Sequence, residues 1–509
     1  MFDKVNVILG VPIDNLDMNE TVDKILEMIE EFKKDRRARL VATVNVDFLV
    51  NSLGWAIGKV RHPELLDILR RSDLVTPDGM PVVWLSRLLT KKGLKERVTG
   101  ADLVPELAKA CAKAGKKIFM LGGKGDVGQQ AADILLKDNP NLKFAGISSP
   151  FVYVEGEALL GAEEEDLPIL EEINSSGADI LLIAFGNPKQ EVWFERNRYK
   201  LKVPVSIGIG GTFEFITGSV SRAPVWMQRS GLEWIYRMTQ DPKRLWKRYF
   251  IGFLKLGMMT LPLLTRHFFS KGIEKEESNL PTCTNNKFAL TFKFPKVVNS
   301  VNVEKTHSMI YEKVMGDATN VIVDLSDVEY FDVSGLGMFM SLRRQVKARK
   351  KEFFIIGLNE KVKGSFLVNR IWDTLEREVL ANENDVFKKL KEKGSMPGFY
   401  FLITMKDGFG VVKLVGRLDS FYASEFNYES FVEKLGNKNY IFDMEELDFV
   451  DSTGLGTILK IYKHFARNNQ KMVLCSLNEG VTQLLKITKL IKVFKITDNL
   501  NTAEKKINS

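Results

Sequence analysis

Along the first 220 or so residues, short runs of uninterrupted apolar side chains alternate with stretches whose apolar positions recur every three to four residues. Residues 39–44, 117–121, 180–185 and 204–209 have the apolar and β-branched character of strands, while 103–114 and 127–137 have helical spacing. A strand that is apolar along its whole length, not only at alternate positions, is covered on both faces. That pattern, with helices between the strands, predicts a Rossmann-like α/β domain built on a parallel sheet. Ligands of such sheets sit beyond the carboxyl ends of the strands. Two of those ends run straight into glycine, Leu121 into Gly122-Gly123 and Ile209 into Gly210-Gly211. A glycine turn that opens a helix aims backbone N–H groups at an anion. The first turn lacks the Gly-Lys-Ser/Thr ending of a phosphate-binding loop, so a plain tight turn explains it equally well.

The C-terminal part repeats itself. The segment from Asp324 to Gly337, ending Asp332-Val333-Ser334-Gly335-Leu336-Gly337, returns 119 residues later as Asp443 to Gly456, ending Asp451-Ser452-Thr453-Gly454-Leu455-Gly456. Leu358-Asn359-Glu360 returns at the same offset as Leu477-Asn478-Glu479. Two copies at a domain-sized period indicate a tandem pair of small α/β domains, not a solenoid. Chemistry is then expected in the N-terminal part.

Composition narrows the classes. A chain of 509 residues, 45% hydrophobic and 27% charged, suits about three soluble domains. Cys111, Cys283 and Cys475 stand far apart, as do the four histidines, which argues against a disulfide framework and a metal site and for a reducing cytoplasmic setting. Residues 1–16 lack the basic and apolar runs of a secretory leader. Of the net charge of +8, the whole surplus falls within 222–271, where ten Lys/Arg face Glu233 and Asp241 alone.

Within that basic segment Trp246, Tyr249, Phe250, Phe253 and Leu254 recur at helical spacing, with Lys247, Arg248 and Lys255 to the flank. Lys255 and Pro262 interrupt the apolar run, which is too short for a span of roughly 20 apolar residues. The pattern suits a helix lying in a lipid interface. Packing of the same helix on its own domain is the alternative, and the apolar content argues against nucleic acid. On the interfacial reading, deleting residues 242–271 is expected to leave a more soluble, poorly active protein.

Several short stretches, in order, carry a specific resemblance. They are Thr43-Val44-Asn45, Thr76-Pro77-Asp78-Gly79-Met80-Pro81, Arg97-Val98-Thr99-Gly100-Ala101-Asp102, Phe119-Met120-Leu121-Gly122-Gly123, Gly186-Asn187-Pro188-Lys189-Gln190-Glu191, Gly208-Ile209-Gly210-Gly211-Thr212-Phe213, Arg222-Ala223-Pro224 and Gly231-Leu232-Glu233-Trp234. Residues 1 to about 265 thus resemble the WecG/TagA/CpsF bacterial glycosyltransferases, glycosyltransferase family 26. The resemblance implies inverting transfer of an N-acetylmannosamine-type sugar from a UDP-sugar to a polyprenyl-diphosphate-linked acceptor, for a cell-surface polysaccharide or teichoic-acid-like polymer. It implies no metal cofactor, and no Asp-x-Asp motif is present in this part of the chain. It makes Asp78 the base, although Pro77-Asp78-Gly79 is also a good turn. It places Thr43 and Asn45 in the same pocket, and Arg97 and Gln190 on the diphosphate or the sugars. Arg222, Arg229 and Arg237 would meet the leaving group and the membrane surface, on the inner face of the cell membrane. Gly122, Gly123, Gly210 and Gly211 would meet the nucleotide. Glu214 stands where relatives often have Asp, which would alter a nucleoside contact.

The repeats resemble STAS domains, the fold of anti-sigma factor antagonists and transporter tails. The expected boundaries are 1–221 for the glycosyltransferase domain, 222–271 for the basic appendage, and 287–390 and 399–507 for the two STAS domains. In antagonists a Ser after the Asp is phosphorylated at a helix N-terminus. Ser452 holds that position in the second copy and Val333 in the first. Ser is also a common N-cap. The resemblance gives the pair a regulatory or protein-binding role. A rival reading makes the whole chain a non-catalytic scaffold that senses nucleotide and binds partners through its STAS domains.

Overall fold

The computed structural model describes residues 5–508 apart from 58, 153–161, 241, 270–278, 287, 317–318, 350, 393–398, 407, 419–421, 424–425 and 489. It divides into two compact units, Met1–Ala381 and Asn382–Ser509.

The first unit opens with an antiparallel hairpin, β1 (Val5–Ile8) and β2 (Val11–Asp14). A six-stranded sheet follows, made of β3 (Arg39–Val44), β4 (Leu74–Pro77), β5 (Lys117–Gly122), β6 (Lys143–Ser148), β7 (Ile180–Ala184) and β8 (Val205–Gly208). Its order is β4-β3-β8-β7-β5-β6, with every pairing parallel. Alternate residues of one strand enter different cores. Ile118, Met120, Ile180 and Leu182 pack on one face of the sheet, and Phe119, Leu121, Leu181 and Ile183 on the other. This is why those strands read as unbroken apolar runs. Edge strand β6 is only partly buried, and β4, at the other edge, carries polar Thr76 and ends in Pro77, so neither announces itself in the sequence.

After the sheet come three short helices, Thr212–Ile216, Val225–Arg229 and Glu233–Gln240, and a closing helix, Pro242–Phe269. The closing helix does not lie free. Leu256, Met259 and Leu263 are buried in the core beside β3 and the hairpin. Burial of each such side chain contributes about 1.5–3 kcal/mol. Deleting residues 242–271 would therefore uncover a core, and the expected gain in solubility does not follow. No helix among the described residues is long and apolar enough to cross a membrane.

The first repeat completes this unit. Its sheet is β14-β12-β10-β9, from β9 (Thr282–Asn286), β10 (Ala289–Lys293), β12 (Asn320–Asp324) and β14 (Phe353–Ile356), with a small parallel pair of β11 (Val297–Val298) and β13 (Tyr330–Phe331). In the second unit β15 (Phe399–Lys406), β16 (Phe409–Leu418), β17 (Asn439–Val450), β18 (Met472–Cys475) and β19 (Lys495–Thr497) form one sheet in that order. Both copies start with an antiparallel pair and continue in parallel.

The domain boundaries shift from those expected. The first repeat begins at β9, ahead of the expected start at 287 and inside the stretch between the expected domains, of which residues 272–278 lie outside the described ones. At its other end the helix Glu383–Glu392, expected within 287–390, belongs to the second unit. There Phe387 is buried, 5.7 Å from the ring of Tyr400. Polar Thr282-Cys283-Thr284-Asn285-Asn286 does not look like a strand; its pairing with the apolar β10 makes it one.

Candidate active site

The carboxyl ends of β3, β4, β7 and β8 open into a cleft of about 830 Å³, closed over by the segment from Arg222 to Lys255. It brings together Thr43, Asn45, Asp78, Arg97, Gln190, Gly210, Gly211, Arg222 and Arg237. These residues are scattered over nearly 200 positions, and the parallel sheet gathers them by ending its strands on one side.

Asp78 is the first residue past β4. Its N–H donates to the Val44 carbonyl at 2.8 Å, which continues the β3–β4 pairing by one rung and fixes where the side chain emerges. Gly79 follows with φ +140, a conformation that side chains rarely adopt. The carboxyl group is surrounded by protein and keeps some solvent contact through the cleft. Burial pushes its pKa up to about 6, against the pull of Arg237 and Arg97 and with a further push from Glu233 and Asp102.

The cations around it form a chain of ion pairs. Arg97 donates from Nη1 to Glu233 at 2.7 Å and from Nη2 to Asp102 at 3.1 Å. Arg222 donates from Nη1 to the other oxygen of Asp102 at 2.6 Å, and Arg237 from Nη2 to Glu233 at 2.8 Å. Burial would raise the pKa of both carboxyls, but their arginine partners hold them below the usual range. Both are therefore charged at neutral pH and hold the arginines in place. Three nitrogens remain buried without a partner, Nε and Nη2 of Arg222 and Nε of Arg237. Asn187 likewise buries an amide with neither its nitrogen nor its oxygen paired. Unsatisfied buried donors lining a cleft are what an anionic ligand would satisfy.

Other residues are committed inward. Thr43 Oγ1 donates to the Gly208 carbonyl at 2.8 Å, and Asn45 Oδ1 caps the helix Val46–Ser52 by accepting from Asp47 and Phe48 N–H. Gln190 accepts from Gly210 N–H at 3.0 Å and donates to Glu191 at 2.7 Å. Burial raises the Glu191 carboxyl to about 8, so it is largely neutral at pH 7. A Cβ at Gly208 would lie 2.6 Å from Gln190 Nε2 and 2.9 Å from Glu191 Oε1. Gly208→Ala is accordingly expected to displace Gln190 and lower activity at least tenfold, while Glu191→Gln, which mimics the neutral acid, stays within about threefold. Steady-state rates of both variants check this.

Gly122, Gly123 and Glu214 do not line the cleft. Gly122 packs on Ala184 and Phe185, and Gly123 on Phe213, so the first diglycine serves the joint between β5 and its neighbours. Glu214 Oε2 is buried without a partner, 3.5 Å from where a Cβ on Gly211 would stand. The side chain of Arg229 lies outside the described residues. Asp102, Asn187, Glu233 and Trp234 line the cleft or hold its cations without having been singled out. All four stood inside the quoted motifs, but their partners are distant in sequence and gave no local signal.

The closing helix splits the expected aromatic face in two. Tyr249 and Phe253 turn inward onto Trp234, with ring centroids 6.1 and 4.9 Å away. Trp246, Phe250, Leu254, Met258, Leu261 and Phe268 point outward, each 48–64% exposed.

Residues 6–268 match the sequence description of the glycosyl transferase WecG/TagA/CpsF family. The chain belongs to that family. It is a glycosyltransferase, and the match spans every residue of the cleft. An N-acetylglucosaminyldiphosphoundecaprenol N-acetyl-β-D-mannosaminyltransferase of Bacillus subtilis (strain 168) is 31% identical over 266 residues, covering 52% of this chain and 91% of that one. The protein of the same name from Bacillus spizizenii is 27% identical over 239 residues, covering 47% and 85%. The STAS description matches residues 281–375 and 400–503. A solved putative anti-sigma factor antagonist of Thermotoga maritima is 27% identical over 21% of this chain and 95% of its own, with a TM-score of 0.20.

Proposed function

We propose that this glycosyltransferase moves an N-acetylmannosamine-type sugar from UDP to a polyprenyl-diphosphate-linked N-acetylglucosamine, with inversion, at the inner surface of the cell membrane. The observation that carries the reading is the placing of one carboxylate among a set of partly buried cations. Asp78 has its pKa raised to about 6 and lies among Arg97, Arg222 and Arg237. A base of that pKa is ionised at pH 7 yet basic enough to take a proton from an acceptor hydroxyl. Direct displacement at the anomeric carbon leaves UDP, whose new charge must be met where it develops. The partnerless nitrogens of Arg222 and Arg237 are suited to that, and no metal is required in the proposal. The Bacillus subtilis relative supports the acceptor and the sugar.

Release of UDP from a panel of UDP-N-acetylhexosamines, with an undecaprenyl-diphosphate-N-acetylglucosamine acceptor, tests the reading. Turnover with the manno donor, undiminished by EDTA, is expected. Turnover only with another donor would reassign the sugar, and a rate abolished by EDTA and restored by Mg²⁺ would remove the cation-only account.

The outward apolar stripe supports the membrane part of the proposal. Val225 and Trp226 are likewise exposed, at 61% and 64%, and Lys243 and Lys247 are exposed on the closing helix. Each cation near an anionic surface adds about 1 kcal/mol. Lys243→Gln with Lys247→Gln should thus weaken binding to phosphatidylglycerol vesicles roughly thirtyfold. Cosedimentation equal to wild type would discard this surface.

We also propose that the STAS pair serves regulation or partner binding. In both copies an Asp caps the repeated helix, Asp332 accepting from Ser334 and Gly335 N–H and Asp451 from Gly454 N–H. The side chain of Ser452 lies outside the described residues, and its phosphorylation is a question for intact-mass analysis.

A further inference from the structure

The two repeats differ in what they have done with the same helix. In the first, Val333–Ala348 is buried from Val333 through Leu342 without a break. One side faces its own core, and the other faces the glycosyltransferase domain. Each domain lends a valine to the other: Val7 of the hairpin sits in the core of the first repeat, and Val333 in the core beside β3.

The glycines make the comparison sharp. Gly335 and its counterpart Gly454 both lie against a carbonyl of their own domain, Val298 at 2.4 Å and Leu418 at 2.1 Å from an ideal Cβ. That glycine serves the STAS fold. Two residues on, a Cβ at Gly337 would fall 1.7 Å from the Val5 carbonyl, whereas its counterpart Gly456 has nothing within 4 Å. Gly337 serves the docking alone.

Polar contacts pin the same face. Thr90 Oγ1 donates to Asp332 at 3.0 Å, and Arg70, held on the Gly10 carbonyl of its own domain at 3.0 Å, donates across to both oxygens of Asp373 at 2.6 and 3.1 Å. Arg370 Nη1 reaches the carbonyls of Gly54, Ala56 and Lys59 at 3.2, 3.2 and 3.3 Å. In that loop Trp55 carries the ammonium of Lys255, 5.2 Å from the ring centroid, and Lys255 lines the cleft.

We propose that the first STAS domain is a resident clamp whose partner is this chain's own glycosyltransferase domain, seated on the N-terminal hairpin through Gly337, with Arg370 positioning the 54–59 loop behind the cleft rim. The position that Ser452 holds in the second copy is Val333 in the first because that end of the helix is a packed interface, closed to a kinase. The docking half stands without any assignment of substrate. The rim half rests on the proposed lipid-linked acceptor.

Hydrogen exchange and steady-state kinetics on the full chain test both halves. In an isolated helix Gly→Ala is favourable, so Gly456→Ala should leave exchange at residues 5–14 unchanged. Gly337→Ala should speed it at least tenfold. Arg370→Ala should speed exchange at 54–59 and raise the acceptor KM about fivefold with kcat within twofold, and a general loss of stability would not give that split. Wild-type exchange at 5–14 in Gly337→Ala overturns the clamp. Wild-type exchange at 54–59, or an unmoved acceptor KM, in Arg370→Ala overturns the positioning role. If Gly337→Ala does not accumulate, Thr90→Val decides the docking half by the same exchange readout. A wild type inactive with every donor would fail the proposed function and leave the exchange results standing.

Discussion

Asp78→Asn is expected to lower kcat by about 10²–10⁴-fold, the range for removing a positioned general base, with the donor KM within a few-fold of wild type. Asparagine keeps the size and the polarity, and the Asp78 N–H still reaches Val44 across the strand ends. On the proposed mechanism, what it loses is the basicity needed to take the acceptor proton. Inversion at the anomeric carbon needs a single such base, so no second carboxylate can replace it in turn. Asp102 and Glu233 line or border the same cleft but are held by Arg97, Arg222 and Arg237, below the carboxylate range and already hydrogen-bonded. A variant with the wild-type kcat would take the role from Asp78.

The same residue sets a pH dependence. With burial raising it to about 6, kcat/KM should climb to about pH 6 and level off above. Arg237 is the strongest opposing influence on that rise, so Arg237→Met should move the limb to higher pH. Stability runs the other way. The folded state holds the Asp78 proton more tightly than an unfolded chain at 3.8, so its contribution is fully present below pH 3.8 and lost as pH rises through about 6. Asp78→Asn has no charge to bury. It should melt higher than wild type at pH 7 and at the same temperature near pH 3.5, which paired thermal melts would show.

The parts of this protein that sequence reveals are those where local pattern and tertiary role coincide. Central strands buried on both faces are apolar throughout, so β3, β5, β7 and β8 are legible; β6, at the sheet edge, and β9, polar and paired by a neighbour, are not. Asp78 stands at a strand end and Gln190 in the first turn of the helix Lys189–Asn197, both within recognisable motifs. The salt-bridge partners Asp102 and Glu233 become functional only because a segment 120 or more residues away folds back over the cleft. Helical spacing in the basic segment is real, but period alone does not say which side faces what: Tyr249 and Phe253 turn to Trp234 while Phe250 and Leu254 face out. The repeat was plain from the duplicated Gly-Leu-Gly. Its asymmetry was visible only as Val333 against Ser452, a substitution whose meaning lies in the core that Val333 enters.

Arg222→Met should cost about 10²–10³-fold in kcat, the loss that follows removal of one preorganised donor from a developing anion. Arg222 reaches the cleft by way of Asp102, to which it donates from Nη1 at 2.6 Å, while Nε and Nη2 are buried without partners. Burial lowers its pKa, and the hydrogen bond and charge of Asp102 more than restore it, so the guanidinium stays ionised in the cleft. An orphaned, charged donor pair has its desolvation already met in the folded protein, and a phosphate oxygen that gains charge only in the transition state would collect the return. The loss should therefore fall on kcat more than on the donor KM. Methionine fills most of the same space. Asp102 would keep Arg97 at 3.1 Å and Thr99 at 2.8 Å, so its carboxylate is not abandoned and the fold should hold. Arg222→Lys should recover part of the rate through charge without the second contact. If Arg222→Met instead raises the donor KM and spares kcat, Arg222 binds the ground-state diphosphate, and the departing charge is met elsewhere in the cleft.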